Sequence, residues 1–143
     1  MRPIQACTAG VAFRMSAITG THLSTPTTRE AALTALTFAG RHGAMRVLDI
    51  DYRPVLWGLT SRGAGENRFV AHDAVTKRLQ EVLPLCDLIV GTEEEVHILG
   101  GTTDTIVAVR AIREKTDALL VCKRGAQGCS ACAGAIPGHR DEG

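Results

Sequence analysis

The sequence predicts an α/β fold, in which helices and a mostly parallel sheet form three layers (αβα). Short apolar runs alternate along the chain with amphipathic stretches of helical spacing. Of the 143 residues, 45% are hydrophobic but only 3% are aromatic, so Ala, Val, Leu and Ile must fill the interior. These residues are typical of helices packed on a sheet, and the length suits one globular unit.

The first predicted unit is a strand followed by a helix. Residues 16–20 form an apolar run that predicts the strand. Thr27 and Glu30 have the T-x-x-E spacing of a capping box, so we expect a helix from there to about Ala39. Gly40 and Gly43 then offer the left-handed conformation that commonly ends a helix.

Two further strands are predicted at residues 46–50 and 87–91. Asp73 is expected to cap a helix between them, and Pro84 helps to end that helix because proline cannot continue it. The apolar positions of this helix are Val75, Leu79 and Val82.

The remaining elements follow the third strand. Residues 92–95 read T-E-E-E and predict the start of a short helix that the glycines at 100–101 close. Residues 118–122 predict the fourth strand, and a turn at 124–128 leads into a short return strand at 129–133. A further helix precedes the fourth strand, with Ile106, Val109 and Ile112 on one face.

The four strands joined by helices should lie parallel with right-handed connections, which places ligands at their carboxyl ends. Small residues, acids and fixed cations gather directly after the strands, as a site for a phosphorylated ligand and its metal requires. These segments are residues 20–22, 49–53, 91–95 and 123–125.

Charge and hydropathy exclude several classes of protein. The formal net charge is +1 and no basic block is present, which argues against a dedicated nucleic-acid or membrane-surface protein. The longest apolar run, residues 118–122, is far shorter than the roughly 20 residues that cross a bilayer. Residues 1–14 lack the hydrophobic stretch of a secretory signal, so we expect a cytoplasmic protein.

The five cysteines are expected to be free thiols. Only Cys129 and Cys132 form a C-x-x-C pair, and zinc requires four ligands. We therefore interpret this pair as packing residues on a strand. The histidines show no H-x-x-x-H or H-E-x-x-H spacing.

Three segments resemble motifs of the ribokinase-like (PfkB) carbohydrate kinases. Residues 49–57 resemble the D-x-N-x-R-x-x-L-W stretch of the branch that phosphorylates keto-deoxy sugar acids, with Asp51 where Asn is usual. Residues 91–95 resemble the N-x-x-E motif, here T-x-x-E, and residues 123–128 resemble the nucleotide-binding G-x-x-G turn. The resemblance runs from about Ala17 to the end of the chain.

The resemblance implies an ATP-dependent kinase whose substrates are a small sugar acid and ATP, with Mg²⁺ as cofactor. It assigns Arg53 and Asp51 to substrate binding and Glu95 to the metal. Arg53 could instead pair with a neighbouring Asp and fix its loop. Glu95 could act as the second half of a capping box with Thr92, and the two roles are compatible.

The resemblance also assigns Lys123, Gly125 and Gly128 to nucleotide binding. A hairpin turn without a ligand would use the same residues. The chain has no G-K-[ST] P-loop, and no G-x-G-x-x-G follows a strand, which argues against a nicotinamide enzyme.

The departures from the family concern catalysis. Family members are longer, and their G-A-G-D motif, whose Asp is the catalytic base, is absent here. Residues 63–66 read G-A-G-E but stand in the wrong order along the chain. We expect the base to lie beyond Gly143 and the chain alone to be inactive.

These expectations define the domain organisation and the alternatives. Residues 1–15 are unassigned, and residues 16–143 correspond to the central part of an incomplete ribokinase-like domain. The alternatives are part of a 2-keto-3-deoxygluconate or other PfkB sugar kinase, and a noncatalytic truncated remnant.

Unpaired strand edges and uncovered helix faces should promote self-association. The sequence does not fix the oligomeric state.

Overall fold

The computed structural model describes residues 15–59 and 70–133, and these form a five-stranded sheet with helices. The strand order is β1-β2-β3-β4-β5, with the first four strands parallel and β5 antiparallel to β4. The predicted α/β fold with a mostly parallel sheet is confirmed. The elements are β1 (Met15–Thr19), α1 (Pro26–Arg41), β2 (Met45–Asp49), α2 (Asp73–Gln80), β3 (Leu88–Thr92), α3 (Glu93–Gly100), α4 (Thr105–Arg113), β4 (Leu119–Lys123) and β5 (Cys129–Cys132).

Helix α1 begins earlier than predicted. Its N-cap is Thr25, whose side chain accepts a hydrogen bond from the backbone N–H of Thr28. The predicted capping box of Thr27 and Glu30 is therefore wrong, since both residues lie inside the helix. Pro26 explains the shift, because its fixed φ and missing N–H suit the first helical position.

Helix α2 also differs from its prediction at both ends. His72 occupies the N-cap position, so Asp73 is the first helical residue and not the cap. Its carboxylate still lies in the first turn, where the helix dipole favours negative charge. The α-helix ends at Gln80, and Val82 and Pro84 belong to the connection to β3, which includes a 3₁₀ turn at Leu83–Leu85.

Helix α3 begins and ends as its sequence predicts. The Thr92 side chain accepts from the backbone N–H of Glu95, and the Glu95 carboxylate accepts from the backbone N–H of Thr92. Gly101 follows the helix with a φ of 74°, the left-handed conformation that a side chain disfavours.

The hydrophobic core lies between the helices and one face of the sheet. Ile18, Leu48, Ile89 and Leu120 occupy paired positions on adjacent strands and are 0–5% exposed. When parallel strands lie in chain order and every crossover between them is right-handed, the connecting helices lie on the same face of the sheet. The described residues thus form two of the three predicted layers. All four helices contribute to this core, with Leu36, Leu79, Leu99 and Ile112 among their buried residues.

The opposite face of the sheet carries apolar side chains that no described helix covers. Met15 and Met45 pair on adjacent strands and are 55% and 49% exposed. Leu119 is 38% exposed, and Val90 and Val121 are half-buried. Uncovered apolar surface was expected on the helices, and Ile106 of α4 fits that expectation. The sheet itself exposes a second apolar surface.

The described cysteines are free thiols. Cys86 and Cys122 are buried, and burial raises the pKa of Cys86 to about 12. Cys132 packs against the core as predicted, but Cys129 is exposed, so its interpretation as a packing residue is wrong. Cys129 begins the edge strand β5, which has a neighbour on one side only. Cys7 and residues 63–66 lie outside the described residues.

The helices are too short or too polar to cross a membrane. This holds for every helix within residues 15–59 and 70–133, where none combines the length and the apolar character that a bilayer requires.

Candidate functional site

The carboxyl ends of the four parallel strands meet at one edge of the sheet, and the predicted site residues lie along it. Thr19 pairs with Asp49 across β1 and β2, and Thr92 pairs with Lys123 across β3 and β4. The loop with Asp51 and the turn after Lys123 therefore leave the sheet at the same edge. This is where ligands bind in open parallel sheets.

Glu95 joins two of the loops at this edge. Its Oε1 accepts a hydrogen bond of 3.1 Å from the backbone N–H of Tyr52, and its Oε2 accepts one of 2.8 Å from the backbone N–H of Thr92. The carboxylate is half-buried. Its capping role is confirmed, and the same side chain also fixes the loop after β2.

The two carboxylate oxygens of Glu95 fit a water-mediated contact with Mg²⁺. Each carboxylate oxygen keeps acceptor capacity beyond its one hydrogen bond. Within residues 15–59 and 70–133, no three His, Cys, Asp or Glu side chains are grouped to hold a metal ion. Mg²⁺ is commonly bound by one or two carboxylates with substrate phosphates, so the site requires no such group.

Gly91 allows the loop after β2 to lie against β3. A Cβ at this position would come within 2.5 Å of Ile50 Cδ1 and 3.3 Å of Glu95 Cβ. Ile50 is fully buried, and its backbone N–H donates to the carbonyl of Val90. A side chain at position 91 would therefore collide with the buried side chain of Ile50, which would have to shift.

Arg53 and Asp51 form an ion pair. Arg53 Nε donates to Asp51 Oδ1 at 3.1 Å, which realises the loop-fixing alternative. The Arg53 side chain is 64% exposed, and among the described residues its side-chain hydrogen bond goes to Asp51. A guanidinium that donates through Nε to one carboxylate has two further nitrogens that can donate to a carboxylate or phosphate.

Asp51 has a φ of 32°, in the left-handed region. Asn and Asp enter this region more readily than other side chains. The Asp that stands where the family motif has Asn is therefore compatible with this backbone conformation.

Tyr52 anchors the same loop from inside, which the sequence did not reveal. Its hydroxyl donates to the carbonyl of Val70 at 2.7 Å, and its ring is buried. Desolvation by this burial raises the pKa of Tyr52. Trp57, further along the loop, lies 5.8 Å from the Arg78 guanidinium in a cation–π contact.

The turn after β4 is exposed and depends on two glycines. Gly125 and Gly128 have φ values of 57° and 84°, and a Cβ at either position would meet open space. Glycine is therefore required at these two positions by the left-handed backbone conformation, and not by a lack of space for a side chain. The N–H of Arg124 donates to the carbonyl of Gly128 at 2.8 Å and closes the turn next to Lys123.

A second polar network reaches this turn from α3 and α4. Glu93 Oε1 accepts from Thr105 Oγ1 at 2.8 Å and lies 3.4 Å from Arg124 Nε. His97 Nε2 lies 2.9 Å from the same Thr105 hydroxyl. Glu93 and Arg124 also affect the pKa of the Cys122 thiol. Burial raises this pKa, Glu93 raises it further, and Arg124 lowers it.

No local pattern of residues predicts this network. Its contacts join residues that are 8 to 31 positions apart along the chain. Only the position of Glu93 in the first turn of a helix at the carboxyl edge could have singled it out.

The chain is similar in sequence to 5-dehydro-2-deoxygluconokinases, although no family model matches it. It is 30% identical over 115 residues to the enzyme of Geobacillus kaustophilus, covering 78% of this chain and 31% of that protein. It is 33% identical over 128 residues to the enzyme of Photobacterium profundum, covering 85% and 35%. The chain spans about a third of the length of these curated relatives.

The fold is similar to those of solved sugar kinases. Fructokinase from Vibrio cholerae O395 with bound fructose, ADP and calcium ion matches 83% of this chain and 35% of its own, with a TM-score of 0.68 and 18% identity. A putative ribokinase II from E. coli in complex with ATP and Mg²⁺ matches 83% and 34%, with a TM-score of 0.64 and 22% identity. By sequence and by fold, the chain is related to the ribokinase-like (PfkB) sugar kinases and corresponds to about a third of such a protein.

Proposed function

We propose that this chain is the central part of an ATP-dependent kinase that phosphorylates 5-dehydro-2-deoxy-D-gluconate at its primary hydroxyl. The observation that carries the proposal is the meeting of the three family motifs at one edge of the sheet. Glu95 of the T-x-x-E motif binds the loop of Tyr52 and Arg53, and Thr92 pairs with Lys123 at the start of the glycine turn. The names of the sequence relatives support the choice of sugar acid.

The substrate side of the site is assigned to Arg53 and Asp51. A guanidinium can hold the carboxylate of a sugar acid through two parallel hydrogen bonds. Asp51 accepts from Nε and so restrains the orientation of the guanidinium. This arrangement favours an acid over a neutral sugar.

The nucleotide side is assigned to Lys123, Gly125 and Gly128. The exposed turn lets backbone groups approach phosphates, and Lys123 supplies a positive charge beside it. Glu95 would hold Mg²⁺ through water. Bound Mg²⁺ supplies charge that offsets the transferring phosphoryl group, and the residues of this chain position the two substrates for in-line transfer.

The proton of the sugar hydroxyl needs an acceptor outside the motifs found here. In the resembling kinases the Asp of G-A-G-D has this role, and the chain contains no such motif. We therefore propose that the chain alone does not turn over substrate. Sugar-acid-dependent ADP release above about 1 s⁻¹, in the ordinary range of kinases, would contradict this.

A noncatalytic remnant is the second candidate. The absence of G-A-G-D from the sequence and the exposed apolar face of the sheet favour it. The two candidates differ in ligand binding, because a remnant without function has no reason to retain a selective sugar-acid site. Under either candidate, we propose a cytoplasmic protein with no nucleic-acid or membrane partner, in keeping with its charge of +1.

Calorimetric titration of the chain with sugar acids tests the proposal. We expect 5-dehydro-2-deoxygluconate to bind more tightly than 2-keto-3-deoxygluconate, and fructose to bind weakest. The substitution Arg53→Lys should weaken binding of the acid by about 1–3 kcal/mol, since lysine loses the planar fork. It should leave ATP affinity unchanged.

Arg110→Lys is the matched control, because Arg110 is exposed on α4 away from the carboxyl-edge loops. Equal binding of both acids would overturn the choice of substrate. Unchanged acid binding together with a lower melting temperature in Arg53→Lys would show that Arg53 only fixes its loop.

A further inference from the structure

The turn at Arg124–Gly128 has little packing of its own. All of its residues are exposed, and three backbone hydrogen bonds within the turn hold its shape, donated by the N–H groups of Arg124, Gln127 and Gly128. The Arg124 side chain extends from this turn to Glu93, 3.4 Å from Nε to Oε1. Among the described residues, this contact links the turn to the start of α3.

Glu93 is itself fixed by a directed chain of hydrogen bonds. An ionised carboxylate only accepts, so the hydroxyl proton of Thr105 must point to Glu93 Oε1. A hydroxyl has one proton, so His97 Nε2 must carry the hydrogen that it shares with Thr105 Oγ1. The order of donation is thus His97 to Thr105 and Thr105 to Glu93.

Charge favours the same arrangement. Glu93 lies in the first turn of α3, where the helix dipole stabilises a carboxylate. Arg124 is 40% exposed and Glu93 32%, so each head group remains partly hydrated. A pair of this exposure contributes little to overall stability, and its main effect is on the position of the exposed turn.

We propose that Glu93, oriented by Thr105, is a positioning residue that holds the nucleotide-binding turn through Arg124. The inference rests on the proposed function for its ligand, a nucleoside triphosphate. The role of Glu93 is distinct from that of Glu95, whose carboxylate binds the loop of Tyr52 and is the proposed contact for Mg²⁺. The two carboxylates in the first turn of α3 would thus fix two different loops of the site.

Thr105→Val tests this without changing any charge. It removes the hydroxyl that orients Glu93 and keeps the shape of the side chain. We expect amide hydrogen exchange at residues 124–128 to become about three- to tenfold faster and the dissociation constant of ATP to rise by a similar factor, the scale of one lost hydrogen bond. Thr105→Ser keeps the hydroxyl and should restore both values.

Two further variants complete the design. Thr102→Val is the control, because among the described residues the Thr102 hydroxyl accepts from the backbone N–H of Asp104 and from no member of the network. Arg124→Gln changes an exposed side chain that does not endanger folding. It should accelerate exchange in the turn as Thr105→Val does.

The outcomes separate this inference from the proposed function. If the wild type binds ATP but Thr105→Val changes neither exchange nor affinity, or changes exchange alone, the positioning role is wrong and the proposed function stands. If amide hydrogen exchange in the turn responds as expected but the wild type binds no ATP, the turn is not a nucleotide site. The proposed function is then wrong. Equal effects of Thr105→Ser and Thr105→Val would also overturn the role of the hydroxyl.

Discussion

Asp87 shows how a single residue can join three strands through its side chain and its backbone. Its carboxylate accepts from the backbone N–H of Arg46 at 2.8 Å and from the Arg46 guanidinium at 3.0 and 2.9 Å. Its backbone pairs with Arg46 and Leu119. The hydrogen bonds from the Arg46 side chain hold the pKa of Asp87 below its ordinary value.

This shift predicts a pH dependence of stability. A carboxyl whose pKa is lowered in the folded state stabilises the fold above its unfolded pKa of about 4, and that contribution is lost as the pH falls through the folded value. Asp87→Asn should therefore cost about 0.5–1 kcal/mol at pH 7, a small effect because the pair is partly exposed, and much less at pH 3. Urea denaturation at both pH values measures the difference. A cost that stays constant from pH 7 to 3 would contradict the assignment.

The residues of the site divide into those that sequence could predict and those that it could not. The contact of Thr92 with Glu95 spans three positions, so a local pattern predicts it. The contact of Glu95 with Tyr52 spans 43 positions and depends on the register of two strands. Family motifs singled out Arg53, but only the structure shows that Asp51 holds it at one nitrogen.

At the scale of elements, helix starts proved harder to predict than the helices themselves. The sequence around α1 has several Thr residues, and each can cap a helix. Thr27 was favoured because Glu30 stands three positions later, yet Pro26 fixes the start one residue after Thr25. A single residue with a constrained φ thus overrides a good side-chain pattern.

Two alanine substitutions test this assignment. Thr25→Ala removes the N-cap of α1 and should lower the free energy of unfolding by about 1 kcal/mol. Thr27→Ala lies in the first turn and should be neutral or slightly stabilising, because alanine is the better helix former. Thermal or chemical denaturation of both variants measures the contrast. A larger loss for Thr27→Ala would restore the capping box that the structure rules out.

At the scale of the whole molecule, the order of elements was predictable and the environment of the sheet was not. Alternating apolar runs predicted the parallel strands in their order along the chain. Periodicity does not show which face of the sheet the helices cover, because strands buried on both faces and strands buried on one can both be apolar. Val90 and Val121 suit a covered face, yet they lie on the face that carries no described helix.

That face predicts self-association. Contiguous exposed apolar surface is uncommon on soluble monomers and promotes contacts between copies. We expect the chain to sediment as oligomers at micromolar concentration, and Met45→Glu with Leu119→Lys to shift it toward the monomer. Ile106→Lys, on an exposed position of α4, should have a smaller effect. A wild-type chain that is monomeric and unfolds in one sharp transition would contradict the expectation.

The central claim is that three family motifs form one kinase site at the carboxyl edge of this sheet. Titration with ATP and Mg²⁺, followed through backbone amide chemical shifts, tests it most directly. We expect saturable shifts at Lys123–Gly128 and around Glu95, with little change on α2 or at the opposite edge near Asp87. Shifts that are absent, or that spread evenly over the chain without saturating, would contradict it.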